Sequence, residues 1–200
     1  MATDERAVWN ARYAEKSHAS LAPDPFLVDA FDNYVTPLLG NHPGRIALDV
    51  AGGVGRHAIW LAKRGWKATL LDISDEAIAI ADRNAGDAGV KLDLRTQRAA
   101  AFFAKAGAEK WDLIVVFFFL ERELFPALVQ QLKLGGLLVY KTYTLEQPKL
   151  RPGKGPTHPM HLLKPNELLR AYADLEILFY RETVKDSAVA ELLARKTNRS

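Results

Sequence analysis

Two acids and a run of glycines carry the chemistry most legible in this sequence. Asp49 and Asp72 lie 23 positions apart, and Ala51-Gly52-Gly53-Val54-Gly55 follows closely on the first of them. Glycine lets a chain turn sharply and leaves no Cβ in the way of an approaching ligand. A carboxylate at the tip of a second strand is suited to accept hydrogen bonds from ribose hydroxyls. Together these residues point to an adenosine-containing cofactor held by Asp49, Gly52, Gly53, Gly55 and Asp72, with Ile73 beside it. Gly53-Val54-Gly55-Arg56-His57-Ala58 also fits the G-x-G-x-x-G/A fingerprint of dinucleotide sites, so a nicotinamide cofactor stays open at this point.

The elements that must position these residues can be read from local pattern. Arg45–Val50 is an apolar run that reads as a buried strand, and Arg56–Arg64 carries helical spacing through Ala58, Leu61 and Ala62. Lys67–Asp72 is the second strand. Ser74 caps a helix to about Ala85, which Gly86 and Gly89 end. Lys91–Thr96 alternates as a third strand, and a helix from about Ala100 to Ala106 leads to Trp111–Phe117. That continuous apolar run suits a central parallel strand. A helix to about Lys133, a turn at Leu134-Gly135-Gly136 and a fifth strand over Leu137–Tyr143 follow. Pro165–Ala173 reads as a helix; Leu175–Thr183 and Ser187–Lys196 read as a hairpin through Lys185-Asp186, and Thr197–Ser200 as a frayed tail.

Before the first strand, Glu5–Ala14 is amphipathic, with Trp9 and Tyr13 four apart on one helical face. Phe26–Leu39 reads as a helix, and Asn41-His42-Pro43-Gly44 breaks it off. The expected organisation is one domain over 1–200, with a helical cap over 1–40 and a Rossmann-like core over 41–200. Residues 146–165, rich in Pro, Gly and basic side chains, form a loop long enough to serve as a lid.

Composition narrows the chemistry. The 200 residues contain no cysteine, which excludes disulfides, thiolate zinc sites, iron–sulfur clusters and a cysteine nucleophile. The formal net charge of +3 is small and its signs are mixed, so no nucleic-acid partner is expected. No stretch has the form of a signal peptide or reaches membrane-spanning length, so a cytoplasmic protein without a membrane partner is expected. His158 and His161 lack an evident third ligand nearby, and no metal site is expected.

Leu48–Ser74, LDVAGGVGRHAIWLAKRGWKATLLDIS, resembles motif I and the second strand of class I S-adenosylmethionine-dependent methyltransferases. Trp9-Asn10-Ala11-Arg12-Tyr13 and the stretch FFFLERELFPALVQQLKLGGLLVYKTY are similar to the tellurite-resistance and thiopurine-type members. The resemblance implies a doubly wound, mostly parallel α/β sheet of seven strands, in order 3-2-1-4-5-7-6, ending in an antiparallel hairpin. It implies S-adenosyl-L-methionine as cofactor. Asp49 would hold its amino group, Tyr13 would belong to a segment folding over it, and Phe118 would lie near the sulfonium end. Two positions depart from the pattern. Ala51 replaces the usual first glycine, which is tolerable if its φ stays negative. Gln97-Arg98-Ala99 stands where an aspartate usually accepts the adenine amino group, and a guanidinium cannot accept a hydrogen bond.

The resemblance implies a small-molecule methyl acceptor, a thiol or reduced chalcogen in the tellurite-resistance-like case. Such soft nucleophiles need no general base, whereas a hydroxyl or amine does. Glu121, where relatives often carry histidine, is the candidate base, and Tyr143 the candidate substrate wall at the end of the fifth strand. Lys149, Arg151 and Lys154 would favour an anionic acceptor. No D/N-P-P-Y/W element follows the fourth strand, which speaks against methylation of a base amino group. An NAD(P)-dependent oxidoreductase and a non-catalytic cofactor-binding protein of the same fold are the alternatives. Oligomeric state is not legible.

Overall fold

The computed structural model describes residues 4–15, 20–40, 42–105, 107 and 110–198. Its seven strands form one sheet in the order β3-β2-β1-β4-β5-β7-β6, the order the resemblance implies. The strands are β1 (Ile46–Val50), β2 (Lys67–Asp72), β3 (Asp93–Thr96), β4 (Trp111–Phe117), β5 (Leu132–Tyr143), β6 (Glu176–Val184) and β7 (Ala188–Arg195). The helices are α1 (Glu5–Glu15), α2 (Pro25–Ala30), α3 (Thr36–Leu39), α4 (Arg56–Ala62), α5 (Asp75–Asp87), α6 (Ala99–Phe103), α7 (Phe125–Gln131), α8 (Gln147–Leu150) and α9 (Glu167–Ala171). Met1–Ala106 and Gly107–Ser200 each form a compact unit.

In the first unit β1, β2 and β3 run parallel, with Val50 opposite Leu71 and Asp72 opposite Thr96. Burial explains why these strands are almost wholly apolar: Leu48, Val50, Leu70 and Leu71 have essentially no exposed surface. Between α2 and α3, Phe31–Val35 forms a π-turn, closed by Thr36 N–H on the Phe31 carbonyl. Pro37 supplies the reason, since it has no N–H to offer the ordinary helical register and its ring crowds the preceding turn. The expected single helix over 26–39 is therefore three fused pieces. Helix α5 runs through Gly86 and stops where Gly89 takes a φ of +69°. Val90 N–H then returns to the Ala85 carbonyl. Gly86 thus does not end the helix.

In the second unit β4 and β5 are parallel, and β5, β7 and β6 are mutually antiparallel. Leu134-Gly135-Gly136, expected as a turn, lies inside β5, which begins at Leu132. The β4–β5 register shifts between Trp111 and Leu113, so the glycines sit in an irregularity of the strand. Gly135 has a φ of +79°, and its N–H donates to the Lys196 carbonyl. Segment 146–165 holds α8 and a 3₁₀ turn at Pro159–His161. Buried Gln147 anchors it, accepting from Ala188 N–H and donating to the Lys154 carbonyl.

The expected helix end at Ala106 and the tail residues Arg199 and Ser200 lie outside the described residues, as do Asn41 and parts of the expected cap. One consequence of the β5 irregularity can be measured. A Cβ on Gly136 would meet the carbonyl oxygens of Lys133 at 2.8 Å and Trp111 at 2.9 Å. Gly136→Ala should therefore destabilise the protein by about 1–3 kcal/mol, read from chemical denaturation, whereas Gly107→Ala, in open space, should not.

Candidate functional site

The turn between β1 and α4 is held by two buried carboxylates. Asp72 Oδ2 accepts from Gly53 N–H and Oδ1 from Ser74 N–H, both at 2.9 Å. Asp49 Oδ2 accepts from Ala58 N–H at 3.1 Å. Its Oδ1 is buried and has no hydrogen-bond partner. Burial pushes the Asp49 carboxyl up to about 7, against the pull of Ala58 N–H and the Arg56 guanidinium. Asp72 is also raised by burial, opposed by the backbone amides of Ser74, Gly53 and Ile73. Two acids close together in low dielectric make this turn receptive to a cation.

Gly53 and Gly55 have φ of +57° and +88°, where glycine alone is unstrained. Ala51 has a φ of +55°, so the condition under which alanine is tolerated without strain is not met. The chain leaves β1 through a left-handed residue, and Gly52 N–H then reaches the Leu71 carbonyl at 3.2 Å. Gly52 needs its lack of side chain for another reason, since a Cβ would lie 2.7 Å from the Asp49 carboxylate.

Helix α1 meets all three loops that follow β1, β2 and β3. The Tyr13 hydroxyl sits 2.5 Å from where a Cβ on Gly53 would be, and burial followed by Asp72 and Asp49 raises its pKa. Asn10 Oδ1 accepts from the Ser74 hydroxyl at 2.7 Å. Arg6 pairs with Asp75 at 3.2 Å, and Glu5 with Arg98. Arg6, Asn10 and Tyr13 form a stripe at i, i+4 and i+7. Reading Tyr13 only with Trp9 misses this stripe, although its spacing is legible. Ile73 is half-buried beside Asp72. Gln97 donates its backbone N–H to the Asp72 carbonyl at 2.9 Å, while Ala99 starts α6 rather than lying in a loop. His57, buried next to Asp49, is a further residue that spacing alone does not single out.

In the second unit, Phe118 follows β4 with a φ of +58° and is 37% exposed. Its ring lies 4.9 Å from that of Tyr143, and Lys141 Nζ stands 5.9 Å from its centroid. Lys141 and Tyr143 thus share a face, as two-residue spacing requires, and Thr142 is buried on the other. Buried Glu191 accepts from Lys141 and from Arg181, its register partners on β5 and β6. Glu121 is half-buried and adds to the field on buried Tyr140, whose pKa burial raises. Arg122 clamps Glu167 and the carbonyls of Met160 and Leu162. Lys149 pairs with Glu146 at 2.7 Å. The rings of His158 and His161 are 6.2 Å apart, and His158 Nδ1 accepts from Met160 N–H. No group of three metal-ligating side chains occurs among the described residues, and no described helix is long and apolar enough to cross a membrane.

Residues 47–136 match the family profile described as a methyltransferase domain. No curated protein is a significant match to the sequence. Solved structures with similar folds include a protein described for the conversion of a disulfide bond into a thioacetal group during echinomycin biosynthesis. It has 18% identity and a TM-score of 0.70, over 98% of this chain and 93% of that one. TehB from Haemophilus influenzae has 20% identity and a TM-score of 0.67, over 94% and 67%. Magnesium protoporphyrin IX methyltransferase from Synechocystis PCC 6803, with bound SAH, has 18% identity and a TM-score of 0.67, over 96% and 97%. At these identities the likeness is one of fold.

Two measurements follow from the turn. Ala51→Gly relieves a left-handed residue and should stabilise the protein by about 0.5–1 kcal/mol in denaturant titration. Asp49 has a folded-state pKa above its unfolded value of 3.8. Its contribution to stability is therefore fully present below that unfolded value and is lost as pH rises through about 7. Between about pH 5 and about pH 8, wild type should lose on the order of 2–4 kcal/mol relative to Asp49→Asn, measured as a difference of unfolding free energies.

Proposed function

We propose that the chain, whose residues 47–136 match a methyltransferase-domain profile, is a class I, S-adenosylmethionine-dependent methyltransferase that moves the methyl group to a small-molecule acceptor with a soft attacking atom, a thiolate or reduced chalcogen. The observation that carries the cofactor part of this reading is electrostatic. An orphaned, buried Asp49 oxygen and the Asp72 carboxylate flank one glycine turn. A cofactor bearing an ammonium and a sulfonium satisfies them, whereas a pyrophosphate brought to the same turn would meet two acids.

In this reading Asp49 Oδ1 accepts from the cofactor's ammonium. Asp72 keeps its two backbone amides and offers its remaining lone pairs to the ribose hydroxyls. Gly52, Gly53 and Gly55 let the backbone come close, and Tyr13 covers the turn. Ile73 lies along the adenine, with Gln97, Arg98 and Ala99 at its edge; the Gln97 side-chain amide can both donate and accept there. In the second unit the Phe118 and Tyr143 rings pack together and would offer the acceptor an apolar surface.

When bound, the cofactor supplies an electrophilic methyl on a sulfonium. The chain's task is alignment and exclusion of water, because an in-line displacement by a soft nucleophile moves no proton in the transfer step. Glu121 is then not required as a base; with a hydroxyl or amine acceptor it would take that role. Two things support a soft acceptor. One is the resemblance to tellurite-resistance-like methyltransferases. The other is the fold relative that acts in a disulfide-to-thioacetal conversion.

Calorimetric titration with S-adenosylhomocysteine, NADH and NADPH tests the cofactor, and methyl transfer to thiols and reduced chalcogens tests the acceptor. Binding of S-adenosylhomocysteine alone, with turnover on a thiol, is expected. Binding of a nicotinamide cofactor alone would overturn the reading. Asp72→Ala should weaken S-adenosylhomocysteine binding on the order of 100-fold or more, by loss of charge-assisted hydrogen bonds. It should also lower the melting temperature, because Gly53 and Ser74 lose an acceptor.

A further inference from the structure

His57 and Asp24 are buried beside the glycine turn and have no part in the reading above. His57 is the second residue of α4 and is 2% exposed. Asp24 precedes α2 and caps it, its Oδ1 accepting from Phe26 N–H at 3.0 Å. The backbone N–H of Asp24 donates to His57 Nε2 at 3.3 Å. A ring nitrogen that accepts a hydrogen bond carries no proton, so the neutral imidazole holds its proton on Nδ1. That nitrogen stands 3.9 Å from Asp49 Oδ1, the buried oxygen without a hydrogen-bond partner. The gap is about 1 Å longer than a hydrogen bond, so the pair meets in this structure as a charge beside an N–H dipole.

We propose that His57 is a positioning residue: as the Nδ1–H tautomer fixed by Asp24 N–H, it aims Asp49 Oδ1 and keeps that carboxylate ionised for capture of the cofactor's ammonium. This rests on the assignment of Asp49 to that ammonium. A neutral N–H beside a buried carboxylate favours its charged form without adding a charge that would repel the incoming cation. The other groups facing Asp49 are the Arg56 guanidinium, which also favours ionisation, the Asp72 carboxylate, which opposes it, and the neutral Tyr13 phenol. One carboxylate oxygen of Asp24 accepts from Phe26 N–H, and it is the Asp24 backbone N–H that meets His57 Nε2. With burial holding Asp49 up to about 7, ionisation becomes the step that limits cofactor capture below neutral pH.

The test is S-adenosylhomocysteine affinity as a function of pH for wild type, His57→Leu and His57→Asn, followed by calorimetry. Wild-type affinity should fall as pH drops below about 7. In His57→Leu the midpoint should move up by about one pH unit, giving about 5-fold weaker binding at about pH 7, about 10-fold weaker binding well below it, and parity at high pH. His57→Asn restores a donor near the Nδ1 position and should return the midpoint towards wild type. A pH-independent loss in His57→Leu, or no change, would overturn the proposal. Nitrogen-15 spectra of the histidine rings in the wild-type protein keep the idea falsifiable should the leucine variant fold poorly. They should show His57 protonated on Nδ1, and protonation on Nε2 would sink it. If Asp49→Asn binds S-adenosylhomocysteine as tightly as wild type at every pH, the assignment of Asp49 fails, which is a different failure from that of His57.

Discussion

The first unit depends on a trade between two acids and a set of backbone amides. Asp72 joins the turn after β1 to the start of α5 through Gly53 and Ser74, and Asp49 holds the first turn of α4 through Ala58. Buried carboxylates are costly unless their lone pairs are used. Asp72 meets that condition on both oxygens and Asp49 on only one. The remaining oxygen is therefore both a weakness in the fold and the point at which a cationic ligand has most to offer. Folding and the proposed ligand recognition draw on the same few atoms.

The second unit settles a similar problem differently. Glu191 is buried on β7, yet its register neighbours Lys141 and Arg181 bring a cation from each side. Antiparallel pairing places these three side chains on one face, so the charge is balanced by strand geometry rather than by loops. Lys141 reaches from that ladder towards the Phe118 ring. The aromatic wall proposed for the acceptor thus has a rigid strand behind it, which is where positional precision is easiest to maintain.

Much of this was legible in the sequence because it is local. Strand β2 and strand β4 end where apolar runs meet an acid or a turn, and Asp72, Gly53 and Gly55 are marked by spacing alone. The reversal at the end of the sheet follows from two strand-like runs with no room for a helix between them. What sequence reasoning missed depends on contacts distant in the chain. The left-handed Ala51 follows from how β1 hands over to a turn that must reach Leu71. Gly135 lies within a strand because Lys196 takes up its N–H. The π-turn before Pro37 pits local chemistry against packing, and its side could have been read from the proline. His57 looked like an ordinary helical residue, since neither Asp24 nor the orphaned Asp49 oxygen is visible from periodicity.

Helix α1 has a consequence for how the molecule can be watched. It touches the loops after β1, β2 and β3 at once, and Trp9 on that helix lies 6.0 Å from the Tyr13 ring that covers Gly53. Trp66 and Trp111 are buried and Trp60 lies under Arg64, whereas Trp9 is 36% exposed. The chain therefore carries its own optical probe on the one element that any occupant of those loops must press against or displace. Indole emission becomes a label-free view of that glycine turn.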